Sequence, residues 1–215
     1  WDVQTSIEKI MVLHGYEGVI VVGVDNSPGL ERLDEYSPWV SERADELKAL
    51  GEFSRDIGGE GIAYGKFIVK TLKPLIDTKY RTIPDREHTA VAGSSMGGFI
   101  SLYLGAEYPE VFSKVGAFST AAWFADHALH EHMKKVNLTL PIRWYLDIGT
   151  NETSNEKIEN FKDIYVDGTL ALENQLIELG VPRDDVRVVV EAGAVHNELA
   201  WARRFPEAFK WLFNI

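Results

Sequence analysis

The sequence predicts an α/β fold in which a mostly parallel sheet is covered by helices on both faces. Short β-branched apolar runs alternate with longer segments at helical spacing along the whole chain. The runs are apolar without a break, as in strands buried on both sides. At 215 residues, 45% hydrophobic and 26% charged, the chain fits one domain around a single core, and no linker, internal repeat or low-complexity tract divides it.

Val3, Ile7, Ile10, Met11 and His14 fall at helical spacing, and Gly15 is placed to end that helix. Residues 18–24 read as the first strand, buried on both faces and broken by Asp25–Gly29. Residues 30–60 are polar and rich in turn formers, which predicts a long surface excursion near the site, with a short helix around 41–50. Ile62, Phe67, Ile68, Leu72, Leu75 and Ile76 mark an amphipathic helix of about four turns. Strands are then expected at 89–92, 115–118, 142–148 and 186–190, with helices at 97–108, 121–135, 158–179 and 198–213 between and after them.

The net charge of −11, from 33 acidic against 22 basic residues, argues against nucleic acid or an anionic membrane as partner and points to a neutral small-molecule substrate. There is no cysteine, so disulfides, thiolate metal sites and cysteine nucleophiles are excluded; this fits a reducing cytoplasm without requiring one. No apolar run approaches the length of a membrane span. His127, His130 and His132 crowd one helix, but no carboxylate pattern completes a ligand set, so neither metal nor cofactor is expected. The chain opens at Trp1 without a Met, and a further upstream segment is expected.

The chemistry centres on Gly93-Ser94-Ser95-Met96-Gly97, a Gly-x-Ser-x-Gly motif with an apolar strand before it and a helix directly after it. So sharp a turn strains its central residue and needs small neighbours, which Gly93 and Gly97 supply. Only Ser95 has glycines at both flanking positions, so Ser95 rather than Ser94 is the candidate nucleophile, and the N–H of Met96 is placed to hold an oxyanion. A phosphate-binding turn is the alternative, but no Lys follows the glycines and a Walker-type loop is excluded. Of six histidines only His196 lies on a loop after the last strand, where a site of this build places its general base. Leu13-His14-Gly15 is similar to an oxyanion-loop sequence, yet its helical periodicity makes His14 a helix-end residue. Glu152, just past the strand at 142–148, is the favoured acid; Asp147, inside that strand, is its rival and the better candidate for bracing the loop.

Residues 21–26, 32–39, 80–86, 92–98, 108–112, 149–152 and 196–201 together resemble the esterase family of α/β-hydrolases that includes esterase D, acetylxylan and feruloyl esterases, and siderophore esterases. The resemblance spans nearly the whole chain. It implies a serine carboxylic-ester hydrolase with a Ser95–His196–Glu152 triad, an acyl-enzyme, no cofactor, and Trp123 lining the substrate cleft. Substrates would be small acyl or aryl esters of carbohydrates or other neutral alcohols, with Trp39, Trp123 and Trp201 available to stack on them. A siderophore esterase, an acyltransferase and a non-catalytic binding module are the alternatives. Relatives carry further strands and a His-Asp-Gly-type loop upstream of the counterpart of Trp1, and that loop supplies the second oxyanion donor. The chain is therefore expected to be an N-terminally incomplete domain, and an open sheet edge would favour a homo-oligomer.

Overall fold

The computed structural model describes residues 1–215. Helix α1 (Val3–His14) ends at Gly15, whose φ of 65° is the left-handed conformation that closes a helix. Residues 18–24 then form no strand, which corrects the first strand expected above. Val19, Ile20, Val21 and Val22 are 36–57% exposed. β-branched composition only suits a chain to a pleated, half-buried surface; without a ladder partner the run does not become a strand.

The excursion that follows carries α2 (Glu31–Glu35) and α3 (Ala44–Ala49). It is anchored rather than superficial: Ser37 and Ile57 are fully buried, and the Glu42 carboxylate accepts the N–H groups of His127 and Ala128 at 3.0 and 2.8 Å. Helix α4 (Gly61–Phe67) continues through a π-turn at Ile68–Leu72 into α5 (Lys73–Lys79). The expected helix is present, but its apolar face is displaced. Ile62, Phe67 and Leu75 are 45–47% exposed, whereas Val69 is buried. Pro74, which lacks an N–H, follows the wide turn, and the extra residue of that turn rotates the stripe.

From here strands and helices alternate as the sequence predicts: β1 (Ala90–Ser94), α6 (Met96–Glu107), β2 (Lys114–Phe118), α7 (Asp126–Lys135), β3 (Arg143–Gly149), α8 (Phe161–Glu178), β4 (Val186–Glu191) and α9 (Glu198–Phe213). The helix expected at 121–135 is divided at Ala125, where φ is −151°, and Glu42 caps the N-terminus of its second part. The four strands are all parallel, in the order β1-β2-β3-β4. Val115, Ala117, Trp144, Leu146 and Ile148 point into one core cluster with α6 and α8. Phe118 and Tyr145 point into a second one with α9 and α1. Both faces are covered, which explains the unbroken apolar runs. The outer edge of β1 has no ladder partner. Beside it lies an apolar groove of about 1440 Å³, bounded by residues 18–24 and α4–α5. No helix is long and apolar enough to cross a membrane. The loops after β1, β3 and β4 converge at the carboxyl edge of the sheet, where such sheets place their sites.

Candidate active site

Ser95 occupies the turn between β1 and α6 with φ 57° and ψ −123°, a conformation costing a non-glycine residue about 1–3 kcal/mol. Its own backbone holds it there. The N–H donates to Phe118 O at 2.8 Å, and the carbonyl accepts from Phe99 and Ala121 at 3.1 and 3.2 Å. A Cβ on Gly93 would lie 2.5 Å from the carbonyl of Gly97, so this glycine is what permits the turn. A side chain on Gly97 would meet nothing within 4 Å; the steric need assigned to both glycines belongs to Gly93 alone. Met96 begins α6, so its N–H is among those without an intrahelical acceptor.

The other two candidates are brought together by their loops. Gly149 lets them meet, because a Cβ there would sit 2.3 Å from Ala194 O. Asn151 N–H donates to Ala194 O at 3.0 Å, Thr150 N–H to Glu191 O at 3.0 Å, and Gly193 N–H to Thr150 Oγ1 at 2.8 Å. Asn197 then caps α9 by accepting the Ala200 N–H at 2.9 Å, which fixes the residue after His196. The result is a His196 Nδ1 to Glu152 Oε2 contact of 2.8 Å, with Glu152 fully buried. Asp147 does not touch His196. No hydrogen bond joins Ser95 Oγ to His196; such bonds often tighten only when substrate is present.

Glu152 Oε1 is gripped as firmly as Oε2. Ser119 O–H donates to it at 2.7 Å and Gly149 N–H at 2.6 Å. Ser119, at φ 45°, is a hub that sequence reasoning missed. Its Oγ also accepts Trp201 Nε1 at 2.8 Å and Arg204 Nη2 at 2.7 Å, while its N–H donates to Asp147 Oδ1 at 3.0 Å. Arg204, only 5% exposed at its side chain, pairs with Asp147 at 3.0 Å, Glu191 at 3.1 Å and Glu152 at 3.4 Å. Trp201 and Arg204 are three residues apart and share one face of α9, the only local hint in the sequence. Asp147 thus braces the site, as its position inside the strand suggested. Replacing Arg204 with Met would leave buried carboxylates uncompensated, and we expect a loss of about 3–5 kcal/mol in unfolding free energy, read as a lowered urea midpoint. An unchanged midpoint would show that the guanidinium carries no such burden.

Burial separates the two acids. It pushes Asp147 up to about 7, only partly offset by Arg204 and the Ser119 N–H. For Glu152 burial also favours the neutral form, but hydrogen bonds from His196, Ser119 and Gly149 outweigh it and hold the carboxyl below its usual range. Glu152 is the member of the pair kept ionised beside the imidazole.

Aromatic rings wall the site. Tyr165 lies with its ring centroid 5.1 Å from that of His196, and its hydroxyl is hydrogen-bonded to Ser154 Oγ. Half-buried Trp123 packs on Phe161 at 5.0 Å and Tyr165 at 6.3 Å, in the same aromatic cluster. The stacking expected of the other two tryptophans is not available. Trp201 is 6% exposed, edge-on to His196 and bonded to Ser119; Trp39 packs on Phe99 and Tyr103, away from the site. A cavity of about 590 Å³ opens beside His196 and Glu152, flanked by Ile158, Phe161 and Lys162. On and around α7, His130 faces Asp126 and His132 faces Glu107, so these histidines serve separate carboxylates.

A strained serine on a strand-to-helix turn, with a histidine–carboxylate pair on the loops after later parallel strands, defines an α/β-hydrolase. Residues 1–212 match the family described as "Putative esterase", and the chain belongs to that family of esterases. It is 27% identical over 196 residues to the uncharacterized protein YbbA of Bacillus subtilis (strain 168), covering 91% of this chain and 74% of that protein. The siderophore hydrolase EstA from Aspergillus nidulans superposes with a TM-score of 0.73 at 16% identity, over 98% of this chain and 77% of that one. The enterobactin esterase FES from Shigella flexneri gives 0.72 at 19% identity, over 96% of this chain and 47% of that one. A ferulic acid esterase gives 0.56 at 20% identity, over 79% and 75%. The fold is that of these hydrolases.

Proposed function

We propose that the chain hydrolyses carboxylic esters through a Ser95–His196–Glu152 triad and an acyl-enzyme, acting on small acyl or aryl esters of carbohydrates or other neutral alcohols. The observation that carries this reading is the 2.8 Å His196–Glu152 pair, locked from behind by Ser119 and Gly149, at the same sheet edge as strained Ser95. His196 Nε2 takes the proton of Ser95 as Oγ bonds to the ester carbonyl carbon. The resulting oxyanion is held by the Met96 N–H. The C–O bond to the alcohol breaks, and the alcohol leaves with the proton from His196. Water, deprotonated by the same imidazole, then releases the acid and restores Ser95. Glu152 keeps the Nδ1 proton in place and stabilises the imidazolium.

The wall of Trp123, Phe161 and Tyr165 favours an aromatic acyl group. The same wall supports a siderophore ester with an aromatic acid as second reading, because a siderophore hydrolase and an enterobactin esterase are among the structures that overlap nearly the whole chain. The test is hydrolysis of p-nitrophenyl acetate and of methyl ferulate by the purified chain. Turnover of both, with the higher kcat/KM for ferulate, is expected. A folded chain that cleaves neither ester overturns the esterase reading, and one that cleaves only the acetate overturns the aromatic part.

A further inference from the structure

Ser119 stands between the nucleophile turn and the triad acid, and its neighbours leave its hydroxyl proton a single direction. It directly follows β2. Phe118 O accepts the Ser95 N–H at 2.8 Å, and Ala121 N–H donates to Ser95 O at 3.2 Å, so residues 118–121 clasp the backbone of the nucleophile. From the middle of that clasp the fully buried Ser119 O–H reaches Glu152 Oε1 at 2.7 Å. Trp201 Nε1 at 2.8 Å and Arg204 Nη2 at 2.7 Å both point at Ser119 Oγ, and both can only donate. They fill the two lone pairs of the hydroxyl, and its one proton is left for Glu152. Arg204 is held in place, because its other nitrogens pair with Asp147 at 3.0 Å and Glu191 at 3.1 Å. The backbone gives a second, independent sign. Ser119 adopts φ 45°, which glycine takes without strain and serine does not. The turn nevertheless carries a side chain, and the Ser119 N–H pins it by donating to Asp147 O at 2.9 Å and Oδ1 at 3.0 Å. Gly149 N–H also meets Glu152 Oε1, but it belongs to the strand that leads into Glu152 and has no link to Ser95.

We propose that Ser119 is a positioning residue for ester hydrolysis, its hydroxyl tying the Glu152 carboxylate to the segment that carries the Ser95 turn. This rests on the triad reading given above and explains how two loops from different strands keep one spacing. Residues 118–121 hold the nucleophile by its backbone and the acid by its Oε1, so neither moves without the other. Oε2 is then left to orient the imidazole of His196. Ser119 touches no reacting atom and transfers no proton; its effect passes through Glu152 to His196. Trp201 and Arg204, on one face of α9, act one step further back by aiming the Ser119 proton.

The test begins with Ser119→Ala, which removes only the hydroxyl. kcat for p-nitrophenyl acetate should fall about 10- to 100-fold with little change in KM, the scale of a misplaced catalytic group. Ser119→Gly suits the left-handed backbone and should lose as much, which separates the hydroxyl from the strain. Near-UV circular dichroism checks that both variants keep the fold. The deciding readout is the double variant. In the Glu152→Gln background Ser119→Ala should cost no further activity, because Ser119 acts only through that carboxylate. Losses that multiply in the double variant would reveal a general structural role and overturn the proposal. So would an unchanged kcat in folded Ser119→Ala, or full activity in Ser119→Gly. A wild-type chain without Ser95-dependent turnover sinks the triad reading and this proposal together, whereas an active wild type with an equally active Ser119→Ala sinks this one alone.

Discussion

Replacing Ser95 with Ala is expected to lower kcat for p-nitrophenyl acetate by about 10⁶-fold, the size of effect seen when the nucleophile of a triad is removed. The substitution deletes one oxygen and keeps Cβ, so the positive-φ turn carries no more strain than before. Its backbone is pinned by Phe118 O and by the N–H groups of Phe99 and Ala121, none of which involves the hydroxyl. Thermal and urea midpoints should therefore stay close to those of the parent, and the loss should be in chemistry alone. Ser94→Ala, one residue earlier and at the end of β1, should retain turnover. Loss of activity at Ser94 with retention at Ser95 would shift the nucleophile by one residue.

The second large effect concerns Glu152→Gln, for which a drop of about 10⁴-fold in kcat is expected, as when the carboxylate of a triad becomes an amide. The mechanism can be followed atom by atom. Around the Oε1 position stand three donors: Ser119 O–H, Gly149 N–H and the Arg204 guanidinium. They select the carbonyl oxygen of the new amide. Its NH₂ group is then forced to face His196 Nδ1, which must accept. The imidazole proton moves to Nε2, the nitrogen that has to take the proton of Ser95, and the base is blocked. Stopped-flow or steady-state turnover measures the loss, and nitrogen chemical shifts of His196 should report the exchanged tautomer. Retention of more than a tenth of the activity would remove Glu152 from the triad and reopen the case for Asp147.

Much of this site is legible in the sequence, for a physical reason. The Ser95 turn needs Gly93 next to it in the chain, and the His196 loop follows its strand directly, so local spacing carries the signal. The choice of Glu152 over Asp147 was also local, because strand position separates them. What was not legible depends on residues far apart. Ser119 meets Arg204 across 85 positions, and Tyr165 meets the His196 ring only because α8 packs on the sheet. Neither leaves a periodic mark. Residues 18–24 fail in the opposite direction. Their composition is that of a strand, but pairing is a property of the neighbour, and β1 leaves that edge open. The face of α4–α5 departs from its helical spacing because the π-turn at Ile68–Leu72, followed by Pro74, rotates the stripe.

The most direct test of the account is covalent trapping: incubate the chain with a fluorophosphonate, measure intact mass, and map the modified peptide. The account predicts one adduct per chain, on Ser95, abolished in Ser95→Ala and strongly slowed in Glu152→Gln. A folded chain that takes no adduct, or one labelled at Ser94 or another serine, would contradict it.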